Sequence, residues 1–275
     1  MRKEIIRRSF VEYADLTASY YQGCQHGCLY CYNFHFHRRN FGVTYSQWIK
    51  ARPKVSILKA KRLTYKAIKH FGPGHKLYLS FAHDPYMPVD GYRRLTYIIL
   101  DEVLKNSDWI VMILTKAPER ALCLDGPLFE TYSERVWFGV TLTHYDDVKA
   151  KRIEPFAEPP SQRIQALWKA KTMGLKTWVS IEPWIPLLPR PATIESFYEE
   201  NDRLKDFEEY LVDPVELIKR IPKPDLVIIG RLNHISRKYD KVIRKVYKKR
   251  FKEVSAYLNE KGYNFMVKKE LMKVI

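Results

Sequence analysis

The chain has 275 residues, a hydrophobic fraction of 46% and a formal net charge of +17. This length and composition fit one large α/β domain or two small ones with a buried core, and the charge favours a polyanionic partner, nucleic acid first. No stretch reaches the roughly 18 to 20 apolar residues of a membrane span, and no apolar segment follows the basic start MRKEIIRRSF. We therefore expect no membrane partner, no signal peptide and a cytoplasmic location.

The first predicted strand, LTASYYQGC (16–24), leads into the segment GCQHGCLYCYN (23–33). Cys24, Cys28 and Cys31 follow a C-x3-C-x2-C spacing in this segment. In a reducing compartment, thiols this close together indicate a metal site or catalysis rather than disulfides.

Two kinds of metal site fit the three thiols. A structural zinc site needs four ligands, and His26, His35 or His37 can complete a Cys3His set. An iron–sulfur cluster held by three thiolates leaves one iron open for a substrate or cofactor. The missing fourth cysteine has a chemical reason only in the second case.

Apolar runs alternate with helical patterns along the rest of the chain. Continuous runs of this kind are typical of strands buried on both faces of a parallel sheet, and the alternation implies right-handed βαβ units. The sequence therefore predicts an α/β fold, a partial or full (β/α) barrel, as a single domain over 1–275. A basic C-terminal helix is predicted at about 237–262, and the Pro- and Glu-rich stretch 184–224 is predicted to be a loop or lid. The other predicted strands are KLYLSFA (76–82), DWIVMILT (108–115), RVWFGVTLT (135–143), KTWVSIEP (176–183), DLVIIGR (225–231) and YNFMVKK (263–269). The predicted helices are 55–71, 92–106, 161–173, 214–220 and 241–260.

Polar residues follow almost every predicted strand. Active sites of (β/α) barrels lie at the carboxyl ends of the strands, so these residues predict one shared site. The segments are HDPY after the second strand, TK after the third, TLTH at the fourth, SIEP at the fifth and GRLNH after the sixth.

The cysteine loop, with Tyr30 before its last cysteine, resembles that of the radical S-adenosylmethionine (SAM) superfamily. Together with AHDPYMPVD, MILTKAPE, VWFGVTLT, WVSIEPWIP and DLVIIGRLN, it is similar to the spore photoproduct lyase-like (DNA repair photolyase-like) branch. A related phage-associated radical SAM family shares this pattern over most of 16–231, and its final strand resembles FMVKKE. The resemblance implies a 4Fe–4S cluster on the three cysteines and SAM on the open iron. It also implies an external electron donor of the flavodoxin or ferredoxin type, and cleavage of SAM to a 5′-deoxyadenosyl radical.

The same resemblance implies which residues contact SAM. A carboxylate such as Asp84 or Glu182 can accept from the ammonium or ribose of SAM, and Lys116 can pair with its carboxylate. Ordinary roles stay open: Asp84 as a turn former, Glu182 as a hydrogen-bond acceptor at a strand end, Lys116 as a side chain reaching solvent. The implied cofactor-binding residues are Tyr30 against the adenine, His83, Asp84, Lys116, Thr141, Thr143, Ser180 and Glu182.

One departure from spore photoproduct lyase bears on the reaction. That enzyme has a further cysteine near the end of its second strand, where this chain reads LYLSFAHDP. We therefore expect no activity on the spore photoproduct itself. The fourth cysteine, Cys123, is predicted to be a buried thiol on a helix. No catalytic residue is assigned; Tyr86, Tyr92 and Tyr145 are candidate radical relays.

Basic residues are concentrated in three segments. The segment 237–254 has nine Lys or Arg against two acidic residues, 50–69 is also basic, and HFHRRNF (35–41) follows the cysteine loop. Basic and aromatic residues together are typical of surfaces that bind unstacked nucleic acid, although a solvated helix face explains 237–254 equally well. Three hypotheses remain: a radical SAM enzyme acting on nucleic acid, one acting on a peptide or small metabolite, and a zinc-binding nucleic-acid module without enzyme activity.

Overall fold

The computed structural model describes residues 4–184, 212–231 and 240–275. The strands in these ranges are β1 (Ile6–Arg8), β2 (Leu16–Ala18), β3 (Tyr21–Gln22), β4 (Arg52–Pro53), β5 (Lys76–Leu79), β6 (Ile110–Thr115), β7 (Val136–Thr141), β8 (Lys176–Trp184), β9 (Leu226–Arg231) and β10 (Phe265–Val267). The helices are α1 (Tyr32–Phe41), α2 (Tyr45–Trp48), α3 (Ile57–Phe71), α4 (Pro88–Arg93), α5 (Leu95–Asn106), α6 (Pro118–Thr131), α7 (Asp147–Ile153), α8 (Pro160–Thr172), α9 (Pro214–Lys219), α10 (Asp240–Glu260) and α11 (Lys269–Met272).

Eight strands form one sheet in the order β1-β2-β5-β6-β7-β8-β9-β10. The strands from β2 to β10 are parallel to one another, and β1 is antiparallel to β2 at the edge. In the described part of the chain β1 and β10 do not pair, so the barrel is open. The predicted α/β fold is confirmed in its partial form.

The apolar runs that predicted the strands are buried on both faces of the sheet. On β8, Val179 and Ile181 belong to the core that the sheet shares with the helices, whereas Trp178 belongs to a separate cluster. That cluster closes the concave face near the amino ends of the strands. Tyr13, from the connection between β1 and β2, packs there on Tyr78 and Trp178 with ring centroids 5.6 Å away in both cases.

The predicted helices and the later predicted strands are found with ends shifted by a few residues. The first predicted strand, 16–24, is split into β2 and β3, which belong to different sheets. The sequence did not predict the antiparallel β1 or the pairing of β3 with β4. The predicted basic helix is α10, while residues 185–211 of the predicted loop or lid lie outside the described residues. The single domain over 1–275 stays a prediction. No helix among the described ranges has both the length and the apolar composition needed to cross a membrane.

The prediction of a buried Cys123 is wrong, because this thiol is exposed. Helix α6 buries Ala121, Asp125 and Phe129 at four-residue spacing, which places Cys123 on another face. Asp125 can lie inside because its Oδ1 accepts a hydrogen bond from Arg94 Nη2 at 2.6 Å. A buried ion pair therefore decides which face of α6 packs inward.

Candidate active site

A cavity of about 500 Å³ opens at the carboxyl ends of the parallel strands. Thr143 is the one predicted cofactor residue that does not line it. The structure therefore brings together residues that are up to 158 positions apart, as the strand-end rule predicts. The predicted residues that line the cavity are Cys24, Cys28, Tyr30, Cys31, His83, Asp84, Lys116, Thr141, Ser180 and Glu182.

The cysteine loop is held by neighbouring backbone and by a glycine turn. Gly27 has a φ of +61°, and a Cβ there would lie 2.5 Å from the Tyr45 hydroxyl and 3.0 Å from the Phe156 ring. Both rings thus lie directly on the loop. Backbone hydrogen bonds join Cys24 N to Trp48 O at 3.1 Å and Leu29 N to Ile153 O at 2.9 Å. These contacts hold the loop against α2 and the end of α7.

The three loop thiols are poorly solvated and face the same cavity. Burial raises the pKa of Cys24 and of Cys28 to about 12 and that of Cys31 to about 11. Cys31 also caps α1, since its Sγ accepts a hydrogen bond from Phe34 N at 3.4 Å. The positive end of the α1 dipole therefore points at this sulfur and favours its thiolate. Metal binding here must displace protons from the thiols.

Asp84 joins the ends of two strands to the cysteine loop. Its Oδ1 accepts from Thr115 Oγ1 at 2.7 Å and from Tyr86 N at 2.9 Å. Its Oδ2 accepts from Lys116 N at 2.7 Å and lies 3.2 Å from His26 Nε2. Burial alone would raise the pKa of Asp84, but His26 and the donors hold it well below its ordinary value. The turn-forming role left open from the sequence is present, because the bond to Tyr86 N closes a turn.

A buried network that the sequence did not predict lies behind Tyr30. The Tyr30 hydroxyl donates to Glu154 Oε1, which also accepts from Thr143 Oγ1 at 3.0 Å. Glu154 Oε2 lies 2.5 Å from Arg163 Nη2, and Arg163 Nη1 donates to Thr141 O at 2.9 Å. Burial would raise the pKa of Glu154, but the cations around it lower the pKa below its ordinary value. Thr143 thus belongs to the network that holds Tyr30.

Lys116 brings a positive charge to the same wall of the cavity. Its Nζ lies 5.6 Å from the centroid of the Tyr30 ring, within the range of a cation–π contact. Burial would lower the pKa of Lys116, but Cys28 and Glu154 raise it above its ordinary value. The ammonium is therefore charged at neutral pH and turned to the cavity instead of to bulk solvent.

His83 lines the cavity with both ring nitrogens already bonded within the protein. Its Nε2 accepts from Tyr20 N at 3.2 Å, so Nδ1 carries the hydrogen that is donated to Asp84 O at 3.1 Å. Burial lowers the pKa of His83 to about 3, so the ring is neutral.

Glu182 forms the opposite wall together with a residue that the sequence did not single out. Glu182 Oε1 accepts from Lys268 Nζ at 2.9 Å. Burial raises the pKa of Glu182, and Lys268 offsets part of that rise. Gly230 leaves room for this carboxylate, since a Cβ there would lie 2.8 Å from Glu182 Cδ. Ser180, two residues earlier on β8, is buried and faces the same side.

The mouth of the cavity carries cations and an exposed aromatic ring. Arg7, Arg8 and Arg231 line it, and Phe10 beside them is 99% exposed. The candidate relays named from the sequence, Tyr86, Tyr92 and Tyr145, do not line the cavity, whereas Tyr13, Tyr30, Tyr32 and Tyr78 do. A relay role for the first three stays a prediction.

Solved structures of spore photoproduct lyase superpose on this chain. A tyrosine-to-phenylalanine variant matches with a TM-score of 0.61 at 12% identity, covering 97% of this chain and 79% of that one. The chain has the fold of spore photoproduct lyase. A further variant of that lyase, with bound AdoMet and dinucleoside spore photoproduct, matches with a TM-score of 0.52 at 17% identity, covering 89% of this chain and 64% of that one. The resemblance stated from the motifs is thus confirmed for the fold of the lyase.

Two proteins are related to the chain in sequence. An uncharacterized protein of Methanocaldococcus jannaschii is 30% identical over 185 residues, which are 67% of this chain and 66% of the relative. An uncharacterized protein of Acidianus two-tailed virus is 29% identical over 168 residues, which are 60% of this chain and 54% of the relative. The chain therefore spans a little less than two thirds of one relative and about half of the other. No protein-family model matches the chain.

Proposed function

We propose that the protein is a radical SAM enzyme, with a 4Fe–4S cluster on Cys24, Cys28 and Cys31 and SAM in the adjoining cavity. The observation that carries the proposal is that three thiols, and no fourth cysteine, line one wall of a cavity at the carboxyl ends of parallel strands. When bound, such a cluster supplies the electron that cleaves SAM to a 5′-deoxyadenosyl radical. The shared fold with a lyase solved with bound AdoMet supports the proposal.

The residues present fit this cofactor better than a structural zinc ion. Each histidine that could complete a Cys3His site bonds a backbone carbonyl through one ring nitrogen, as zinc-bound histidines also do through their non-ligating nitrogen, so these bonds alone do not decide between the two groups. His26 Nδ1 donates to Phe156 O at 3.2 Å, His35 Nε2 to Leu29 O at 3.1 Å, and His37 Nδ1 to Asn33 O at 2.9 Å. Among the described residues, no group of three or more His, Cys, Asp or Glu side chains converges on a single ion. A cluster that spreads three thiolates around a larger core fits this arrangement.

The chain's own residues would bind and orient SAM and exclude water. Lys116 can pair with the carboxylate of SAM, and the Tyr30 ring, fixed through Glu154, offers a flat contact for the adenine. Glu182 and Ser180 line the opposite wall and can accept hydrogen bonds from the ammonium or ribose hydroxyls. Asp84 accepts three hydrogen bonds and lies 3.2 Å from His26 Nε2, so its main part is to hold the cysteine loop against the strand ends.

The substrate that the charge distribution supports best is nucleic acid. The cavity is lined by five cations and by three carboxylates. The cations are Arg7, Arg8, Lys116, Arg231 and Lys268, and the carboxylates are Asp84, Glu182 and Glu270. An exposed ring at Phe10 beside these cations suits an unstacked base and its phosphates. Binding should therefore weaken as salt is raised, whereas an uncharged peptide or metabolite would show little salt dependence. The proposal places the protein in the cytoplasm, where thiols stay reduced, and requires an external one-electron donor.

The experiment is anaerobic reconstitution with iron and sulfide, followed by dithionite and SAM. We expect 5′-deoxyadenosine from wild type, and from Cys123→Ala, which removes the exposed cysteine on α6. Cys28→Ala should lose the product. Wild type with a full cluster but no product, or Cys28→Ala with as much product as wild type, contradicts the proposal. Zinc without iron or sulfide in the purified protein would favour the zinc alternative.

A further inference from the structure

Helix α1 connects the cysteine loop to the protein surface. Its inner face packs on the loop: Phe34 is 1% exposed, and His35 donates to Leu29 O. Its outer face carries Phe36, 48% exposed, and Phe41, 66% exposed, with ring centroids 6.1 Å away from each other. Two exposed arginines, Arg38 and Arg39, belong to the same helix. We call Phe36, Arg38, Arg39 and Phe41 the α1 patch.

The patch lies in a part of the chain without any carboxylate side chain. Residues 16–83 contain no Asp or Glu, although the whole chain has 31. The same residues include eleven lysines and arginines, so this stretch of sequence, which contains the cysteine loop and α1, is strongly basic. These cations are Arg38, Arg39, Lys50, Arg52, Lys54, Lys59, Lys61, Arg62, Lys66, Lys69 and Lys76.

The patch leads to the cluster ligands but not into the cavity. Tyr32 is the residue of α1 that lines the cavity, and the residues of the α1 patch do not line it in the described part of the chain. The amino end of α1 is capped by Cys31, whereas the α1 patch lies towards its carboxyl end. A molecule seated on the patch therefore comes close to the thiols without occupying the space for SAM or for a substrate. The residues proposed above to meet the substrate, Arg7, Arg8 and Phe10, line the cavity itself.

We propose that the α1 patch is the docking surface for an acidic electron-transfer protein. The inference rests on the proposed function, which requires one electron from outside; the partner gives up one electron and leaves one electron more oxidised. Transient redox interfaces are small, with aromatic side chains at the centre and a charged rim that steers the encounter. Two exposed phenylalanines beside two exposed arginines, on a helix that has no carboxylate of its own, match an acidic partner of this kind.

The test compares two double variants that remove the same charge. Arg38→Gln/Arg39→Gln alters the patch, and Lys248→Gln/Lys249→Gln alters exposed cations of α10, near the opposite edge of the sheet. Binding of an acidic flavodoxin and of an acidic ferredoxin to the reconstituted enzyme is measured at low and high salt. The patch variant should bind about tenfold more weakly at low salt, with the difference shrinking as salt is raised, and the α10 variant within about twofold of wild type.

Two further measurements separate this inference from the proposed function. Dithionite-driven formation of 5′-deoxyadenosine should be unchanged in both variants, while formation driven by the reduced flavodoxin should fall in the patch variant alone. Equal binding of both partners by wild type and the patch variant overturns the inference and leaves the proposed function intact. Loss of single-stranded oligonucleotide binding in the patch variant, with partner binding unchanged, would instead make the patch a nucleic-acid surface. Absence of product with dithionite in wild type contradicts the proposed function itself.

Discussion

Replacing Glu154 by glutamine removes the carboxylate that neutralises Arg163 in the interior. The two side chains are 0% and 1% exposed, and Oε2 lies 2.5 Å from Nη2. Glutamine keeps the shape and one oxygen acceptor, so the Tyr30 and Thr143 hydroxyls can still be satisfied. Its amide nitrogen then faces the guanidinium, and two donors meet where a charge pair was.

The expected loss is about 3 to 5 kcal/mol in the free energy of unfolding, the range for breaking a buried ion pair from one side. A matched control is Glu119→Gln, because Glu119 lies 2.7 Å from Lys169 on the surface, with the side chains 32% and 57% exposed. That change should cost at most about 1 kcal/mol. Urea unfolding of both apo variants under reducing conditions, followed by tryptophan fluorescence, measures the difference.

A second readout connects the network to the cofactor. Because the two donors that meet at Arg163 repel each other and displace the side chain that positions Tyr30, the reconstituted Glu154→Gln enzyme should bind SAM more weakly than the Glu119→Gln enzyme. If Glu154→Gln unfolds at the same urea concentration as Glu119→Gln, burial does not set the strength of this pair and the reasoning is refuted.

Three further predictions follow from the geometry. Gly27→Ala should lower the free energy of unfolding by about 2 kcal/mol, because its φ is positive and its Cβ would clash with Tyr45. The control Gly74→Ala, with φ of +79° and open space around the Cβ, should lower it by about 1 kcal/mol. Equal losses in urea unfolding would contradict the clash. In the apoprotein at neutral pH, iodoacetamide should modify the exposed Cys123 before the loop thiols, because the raised pKa values of the loop thiols leave little thiolate. Peptide mapping measures the order, and a loop thiol modified first would disprove the expectation. The pKa of His83 is about 6.5 in the unfolded chain and about 3 in the native protein. Between these values the unfolded state binds a proton that the native state does not bind. The contribution of His83 to stability is therefore complete above pH 6.5 and is lost as the pH falls towards 3. Stability should therefore drop less between neutral pH and about pH 5 in His83→Gln than in wild type, and parallel pH profiles would count against it.

The parallel arrangement of the sheet could be predicted because each central strand is a continuous apolar run. The segments 76–82 and 108–115 have no alternation, which requires burial on both faces and so a parallel sheet covered by helices. Strand β1 could not be found this way, since its three residues are defined by pairing with β2 rather than by their own pattern. Which face of α6 is buried could not be predicted for a related reason. Asp125 lies on the buried face because Arg94 and Tyr86, which are distant in sequence, donate hydrogen bonds to it.

The position of the candidate site could also be predicted, because parallel strands bring their carboxyl ends to one edge. Glu154 and Arg163 could not, since they lie in helical and proline-rich sequence that reads as surface. Their burial depends on Tyr30, more than a hundred residues away, and on each other. Lys268 was missed for the same reason, as its partner Glu182 is 86 positions earlier.

The open edge of the barrel bears on what kind of molecule can reach the cavity. The residues on either side of the gap, Arg7 to Val11 on one and Lys268 and Glu270 on the other, all line the cavity. An exposed hydrogen bond spans the gap, from Lys269 N to Glu12 Oε1 at 3.0 Å. Such a bond contributes about 1 kcal/mol, so the bond itself adds little to closing the gap between β1 and β10. For the nucleic-acid substrate proposed above, this edge offers a lateral entry, by which one nucleotide of a long strand reaches the cavity while both ends of the strand stay in solvent.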